Sequence, residues 1–200
     1  MKNLVALSAT LALLAGCGGG GSSASDTPGT SAPALAIYAG TWVEQCDGHQ
    51  QFSLTMTLAS NGTLSASAKT QYYDEVGCTG AIVATSLESQ DNQISHTGTT
   101  NANVVLSPNG QATPIKFDNV SVTVAPFKRT ISGPAVTAGV NHGVAQHCIA
   151  FKDGSGICVD DQGIQEGKVI KGGLYTRSNE FFLLIPATNS YVVDEYYTKK

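Results

Sequence analysis

The sequence predicts an all-β domain, an antiparallel up-and-down barrel or barrel-like sheet, and three observations carry that class. Apolar and polar side chains alternate with period two: Phe52, Leu54, Met56 and Leu58 are separated by Ser53, Thr55 and Thr57, the pattern of a half-buried strand. Only 13% of the 200 residues are charged, about half the usual ~25%, and Ser, Thr, Gly, Asn and Gln stand where a helical protein carries Lys and Glu. Beyond the N-terminal apolar segment, no window of a dozen residues keeps helical apolar spacing.

Strand-like runs follow one another at 40–46, 51–59, 63–73, 80–88, 92–98, 103–107, 111–117, 119–125, 144–151, 155–160, 173–178, 180–186 and 190–198. Turn chemistry separates many of them: Asn61-Gly62, Pro108-Asn109-Gly110, Asp153-Gly154, Gln162-Gly163 and Gly172-Gly173. The least regular stretch, 126–143, is expected to cross between halves of the domain or to hold a short helical turn.

Two hairpins can be registered from side-chain parity. The even positions 52–58 face the core, and so do Leu64, Ala66 and Ala68 of the next run. Both sets share a face only across an odd loop, and Ser60-Asn61-Gly62 supplies one of three residues ending in Gly, so Leu58 should face Leu64. A loop of Lys152-Asp153-Gly154 likewise puts Phe151 opposite Ser155 and Cys148 opposite Cys158. Counting outward, that pair is non-hydrogen-bonded, where Cα atoms approach to about 4.5 Å, inside the range a disulfide spans.

Five cysteines are present, and four of them, Cys46, Cys78, Cys148 and Cys158, fall in the strand-rich region. The hairpin geometry favours a Cys148–Cys158 bridge, which leaves Cys46 with Cys78. The other two connectivities remain alternatives, as does a metal site drawing on His142, His147, Cys148 and Cys158, although that spacing matches no recognised zinc pattern. No cofactor is implied. The formal charge of −4, the pI of about 5.4, and basic runs no longer than Lys128-Arg129 and Lys199-Lys200 give no electrostatic footprint for nucleic acid.

The N-terminus points to export. Lys2 precedes an apolar run, Leu4 to Ala15, that is shorter than the ~20 residues needed to span a bilayer. It leads into Leu14-Ala15-Gly16-Cys17, which resembles the lipobox of bacterial lipoproteins: an aliphatic residue, two small residues and the cysteine that is lipidated. That resemblance implies residues 1–16 as signal peptide, cleavage after Gly16, and fatty-acyl chains on Cys17. Several such chains hold a protein at a membrane essentially permanently, at ~0.8 kcal/mol per buried methylene. Gly18 follows the cysteine where the family's inner-membrane retention signal is Asp, so the resemblance implies the outer membrane. Loss of residues 1–16 removes Lys2 and brings the formal charge from −4 to −5. Residues 17–33 then form a Gly-, Ser-, Thr- and Pro-rich tether with a root-mean-square span of about 20–25 Å, and 34–200 is read as a single β-rich domain.

Gly40-Thr41-Trp42, which holds the only Trp of the chain, resembles the Gly-x-Trp opening of the first barrel strand in lipocalins and related calycins. There the Trp plugs the closed end of an up-and-down barrel, and the resemblance implies the same fold here. No match to the family's later motifs accompanies it, and Arg177 and Asp194 cannot be given their usual family partners. The wider pattern of Gly40-Thr41-Trp42, Cys46, Asn61-Gly62, Tyr72-Tyr73 and Cys78 resembles small exported proteins of proteobacteria.

In such a barrel Phe52, Leu54, Met56, Leu58, Leu64, Tyr72, Val120, Val122, Val124 and Tyr191 are candidate lumen residues. Small eight-stranded barrels are either packed solid or hold one ligand, and sequence does not choose between the two. Met56, Tyr72, Phe181 and Tyr191 are the candidate ligand contacts, with an aromatic mouth drawn from Phe181, Phe182, Tyr191, Tyr196 and Tyr197. No catalytic residue is assigned. Ser155 lies in Gly154-Ser155-Gly156 beside a tight turn rather than in a Gly-x-Ser-x-Gly elbow. Asp160-Asp161 and Asp194-Glu195 are adjacent, which in a regular strand points them to opposite faces. His49, His96, His142 and His147 are scattered.

The leading expectation is a lipoprotein anchored to the membrane through Cys17, whose barrel binds a small apolar or amphiphilic molecule. An envelope structural or protein-interaction module with a packed barrel is the alternative, and a hydrolase acting through Ser155 is the third reading.

Overall fold

A computed structural model describes residues 33–107 and 109–200, and the lipobox, Cys17 and all but the last residue of the tether lie outside them. The alternation seen in the sequence becomes thirteen strands among the described residues. They are β1 Gly40–Val43, β2 Gln50–Leu58, β3 Leu64–Glu75, β4 Thr79–Glu88, β5 Asn92–Val105, β6 Thr113–Val124, β7 Arg129–Ser132, β8 Val136–Asn141, β9 Val144–Ala150, β10 Gly156–Asp160, β11 Lys168–Arg177, β12 Glu180–Ala187 and β13 Ser190–Lys199. A single 3-10 turn, Ala34–Tyr38, precedes β1. The fold is nearly all-β and antiparallel.

Closure is visible in the pairings. β1, β2, β3, β5, β6, β11, β12 and β13 pair each with the next, and β13 returns to β1 through Trp42↔Lys199 and Val43↔Thr198, so eight strands form a ring in chain order. All eight of these pairings are antiparallel. β3 divides its partners: Leu64–Ala66 pairs with β5, whereas Lys69–Glu75 pairs with β4, and β7 extends the sheet beyond β4. β8, β9 and β10 form a separate three-stranded sheet. One short parallel contact, Tyr191↔Val104 and Val192↔Val105, joins β13 to β5 across the ring.

Both hairpin registers stand as read from parity. Leu58 faces Leu64, and Cys148 faces Cys158. Gly62 and Gly154 have φ of 83° and 85°, the left-handed backbone a three-residue loop requires at its last position. The disulfides are Cys46–Cys78 and Cys148–Cys158, with Cα separations of 5.8 and 4.0 Å. Since both Cys148 and Cys158 sulfurs are consumed, the alternative metal site loses its two thiolates.

Three readings need correction. The runs 92–98 and 103–107 are one strand, β5, and 111–117 with 119–125 are one strand, β6. The polar stretch Thr99–Asn103 looked like a break but keeps its register against Pro114–Asp118. The irregular segment 126–143 holds β7 and β8, whose backbones find partners in β4 and β9, a pairing that leaves no trace in local periodicity.

Three cores result. Leu35, Tyr38, Trp42, Met56, Leu64, Ile94, Val120, Leu174, Phe181 and Tyr197 pack inside the ring. Tyr72, Val83, Ala84, Ile131, Ile149 and Phe151 join the three-stranded sheet to β3, β4 and β7. Val104, Phe117, Phe182 and Leu184 form the third. Two bulges turn Val104 of β5 and Tyr191 and Val193 of β13 toward this core: Thr97 is extra between His96↔Val120 and Gly98↔Asn119, and Asp194 is extra between Leu183↔Glu195 and Leu184↔Val193.

Candidate functional site: a plugged barrel with an open upper lumen

One end of the ring is filled. The 3-10 turn before β1 places Leu35 and Tyr38, 0% and 1% exposed, under the strands. Trp42 Nε1–H donates to Tyr38 O at 2.7 Å, and the Tyr38 hydroxyl lies 2.7 Å from two acceptors, Asp118 Oδ2 and Leu174 O. Burial, and then the neighbouring Asp118 carboxylate, push the Tyr38 phenol well above its ordinary pKa. His96 Nε2 lies 3.2 Å from the other Asp118 oxygen, and Lys199 Nζ sits 5.2 Å from the centre of the Trp42 ring. The plug is thus a hydrogen-bonded, cation-capped layer as well as an apolar one.

Above it the lumen is open. A cavity of about 400 Å³ is bordered by Phe52 and Leu54 of β2, Ala66 and Ala68 of β3, Ile94 of β5, Val122 and Val124 of β6, and Leu174, Phe181 and Leu183 of β11 and β12. Phe52, Leu54, Val122 and Leu183 are only partly buried because part of each side chain borders this space. The floor is aromatic: Phe181 stacks with Tyr197 at 5.4 Å and meets Trp42 at 5.4 Å and Tyr38 at 6.0 Å. Ala66 and Ala68 leave the room, since a larger side chain at either would occupy it.

The border also carries polar groups: Glu88, Asn92, Arg129, Lys168, Lys171, Asp194 and Glu195. Glu88 is paired with Arg129 across the β4–β7 ladder, and Arg129 Nη1 lies 3.8 Å from Asp160 Oδ1. Burial raises the Glu88 carboxyl above the usual range, with Arg129 opposing the shift. Asp194 and Glu195 do not point apart as regular alternation requires. Asp194 is the extra residue of the β13 bulge, so both border the cavity. The Tyr197 hydroxyl donates to Glu195 Oε2, and burial followed by the Glu195 charge drives that phenol far upward. Glu44 close by is raised by burial and then by Glu195.

The structure distributes the sequence-derived candidates over several places. Phe181, Phe52, Leu54, Val122 and Val124 border the cavity. Met56, Leu64 and Val120 lie beneath it in the filled layer, with Leu58 packed against them. Tyr72 belongs to the core beside the three-stranded sheet, and Tyr191 packs edge-on against Phe117 at 4.7 Å in the third core. The expected aromatic mouth divides by strand parity: Phe181 and Tyr197 face the lumen, whereas Phe182 and Tyr196 meet 5.2 Å apart on the opposite face. The barrel interior is therefore packed at one height and open at another. Sequence reasoning missed Asn92 and the lumen-facing series Lys168, Ile170, Gly172 and Leu174, because β11 begins earlier than expected and Val169 beside Ile170 hides the alternation.

Ser155 sits on the exposed β9–β10 turn. Its hydroxyl donates to Asp153 Oδ1 at 2.6 Å and its N–H to the same oxygen at 2.9 Å. These bonds hold the Asp153 carboxyl below its ordinary pKa, so the group beside the serine is a poor base. His49 lies on the far side of that carboxylate, Nε2 3.3 Å from Oδ2, with its ring stacked 3.9 Å from Phe151. The acid separates serine from imidazole, which is not the order nucleophile activation needs. A wider surface groove of about 660 Å³ runs along Val105, Leu106, Arg177, Glu180, Phe182 and Tyr196, but Arg177 and Glu180 are already engaged with each other at 2.7 Å.

Comparison with family models, with curated proteins and with solved structures finds no match to this chain.

Proposed function

We propose that the protein is a lipoprotein held at the bacterial outer membrane through acylated Cys17, and that its barrel binds one small apolar or amphiphilic molecule. The observation that carries the binding half is the apolar cavity of about 400 Å³ within a closed ring, inside the ~300–1,000 Å³ range of ligand sites. The likeness of Gly40-Thr41-Trp42 to the calycin opening supports it, and the likeness of Leu14-Ala15-Gly16-Cys17 to a lipobox supports the anchor. The floor of stacked rings and the aliphatic walls suit a ligand body without charge, while the polar residues suit a head turned toward water.

The test is titration of the purified mature protein with the neutral fluorophore N-phenylnaphthylamine. Saturable one-to-one binding is expected, with a change in the emission of Trp42. Ala68→Phe, which places a ring in the lumen, is expected to weaken binding at least ten-fold while the far-ultraviolet circular dichroism stays that of wild type. Binding that is absent in wild type, or indifferent to Ala68→Phe, overturns the reading. For the anchor, mass spectrometry should find a mature terminus at Cys17 bearing acyl chains, and Cys17→Ser should leave the membrane fraction. A different terminus refutes it.

The alternative, an envelope interaction module, draws on Ile82, Leu87 and Val140, exposed at 44, 46 and 75%. A retained barrel with no uptake of any probe would favour that reading.

A further inference from the structure

The barrel wall is split on one side. β11 and β12 pair only between Gly173↔Leu184 and Arg177↔Glu180; above that level residues 168–172 of β11 stay with β6, and residues 185–187 of β12 stay with β13. The cause is legible in the chain. A two-residue turn, Thr188-Asn189, makes Ala187↔Ser190 and Ile185↔Val192 the hydrogen-bonded pairs, so the backbone nitrogen of residue 186 faces β11. Residue 186 is proline, which has no N–H to offer there.

The split lies between two cavities. On its lumen side Ile170, Gly172 and Ile185 border the space of about 400 Å³. On the other face of β11 is a second cavity of about 320 Å³, bordered by Thr97, Thr100, Asn119, Lys171, Pro186 and Tyr191. Lys171 and Gly172 border both. Thr100 pairs with Phe117, Asn119 with Gly173 and Pro186 with Tyr191, so the second lining shares the face that the third core occupies.

Their chemistry differs. The lumen is walled by residues such as Leu54, Ile94, Val122 and Phe181. The second cavity presents the hydroxyls of Thr97, Thr100 and Tyr191 and the amide of Asn119; among the described residues that border it, Lys171 alone is charged and none is acidic. It meets solvent at Thr97 and Thr100, both exposed. Asn119 Nδ2–H donates to Thr100 Oγ1 at 2.7 Å, which fixes the amide and leaves its carbonyl and the Thr100 O–H for a guest.

Resting on the lumen-binding reading, we infer that this second cavity is the head-group subsite, and that the ligand is a non-ionic amphiphile with a polyhydroxyl head, of the alkyl glycoside type. The chain lies in the lumen, the linkage passes between Gly172 and Ile185-Pro186, and the head exchanges hydrogen bonds with Thr100 and Asn119 beside the Tyr191 ring. One exposed ammonium rewards an anion little, whereas fixed donors and acceptors side by side reward hydroxyls, which do both. At ~30 Å³ per water-sized group, about 320 Å³ takes roughly ten non-hydrogen atoms, close to one pyranose with its hydroxyls, and about 400 Å³ takes roughly a dozen, enough for an octyl chain.

The experiment is displacement of N-phenylnaphthylamine from the mature protein by octyl glucoside, octanol and octanoate, each below its micellar concentration. Wild type should bind octyl glucoside about ten-fold more tightly than octanol, as two added hydrogen bonds allow, and octanoate no more tightly than octanol. Thr100→Val/Asn119→Leu replaces both partners of the internal bond on the face away from the lumen. It should bring the glucoside down to the affinity of octanol and leave that of the fluorophore unchanged, which shows that the barrel is intact; should the double variant not bind the fluorophore, Thr100→Val alone serves in its place. Ala68→Phe should weaken glucoside and octanol alike. If wild type takes up the fluorophore but binds glucoside no better than octanol, or if the preference survives loss of Thr100 and Asn119, the second subsite is refuted while the lumen reading stands. Octanoate as the tightest of the three, with that advantage lost in Lys171→Met, would make the head anionic and overturn the polyhydroxyl assignment. If wild type takes up neither the fluorophore nor any amphiphile, the lumen reading itself fails.

Discussion

Tyr38 shows what one residue contributes. Its ring fills the closed end of the barrel, its carbonyl accepts from Trp42, and its hydroxyl meets Asp118 and Leu174 O. Removing only the oxygen, in Tyr38→Phe, should cost about 1–3 kcal/mol because buried acceptors lose their donor, and a urea melt at neutral pH measures it. A pH dependence follows. The folded state holds the Tyr38 and Tyr197 phenols protonated far above their ordinary value, through burial and nearby carboxylates, whereas the unfolded chain releases those protons near pH ~10. The unfolded state then binds fewer protons, so the stability these groups contribute is complete below about pH 10 and declines as pH rises beyond it. Melts between pH 8 and 11 should show that decline, shallower in Tyr38→Phe and Tyr197→Phe. Equal slopes in all three proteins would remove the assignment. Trp42 was recognisable from sequence as a plug. Lys199, which covers its ring, was not, since 157 positions separate two residues that meet only when the last strand returns to the first.

At the scale of elements, hairpins were the most legible feature and bulges the least. Leu58–Leu64 and Cys148–Cys158 follow from parity and a three-residue loop, both local quantities. A bulge inserts a residue that parity cannot count, which is why Asp194 and Glu195 were assigned to opposite faces although both border the lumen. The two disulfides serve elements of different reach. Cys46–Cys78 ties the segment after β1 to the β3–β4 turn over a sequence separation of 32, and Cys148–Cys158 ties β9 to β10 over 10. On the chain-entropy account the first contributes roughly 3–4 kcal/mol and the second about 2.5–3. Paired Cys→Ser replacement at 46 and 78 should therefore lower urea stability by about 1 kcal/mol more than replacement at 148 and 158. The reverse order would mean that native-state contacts, rather than loop closure, dominate.

In the whole molecule, stability should be uneven. The eight-stranded ring has no free edge along its circuit, and the filled layer of Tyr38, Trp42, Leu64 and Phe181 lies inside it. The three-stranded sheet has two edges, β8 and β10, and rests on a smaller core. Hydrogen exchange should find the amides of β2, β6 and β12 protected at close to the global unfolding free energy, with those of β8 exchanging through a smaller opening. Uniform protection across both sheets would show that they unfold as one unit.

Sequence alone determined the β class, most strand positions, two hairpin registers, the cysteine partners those registers imply, and several of the residues that face the barrel interior. Each of these depends on alternation or turn chemistry within about a dozen residues, where side-chain direction is set by the backbone's own period. Tertiary structure decided which strands close the ring, that 126–143 forms β7 and β8, that the interior is solid below and open above, and that β11 and β12 part above Gly173 and Leu184. Those outcomes rest on hydrogen-bond ladders between distant segments and on two extra residues in bulges, and the free energy of such pairings is distributed over partners that no local pattern names.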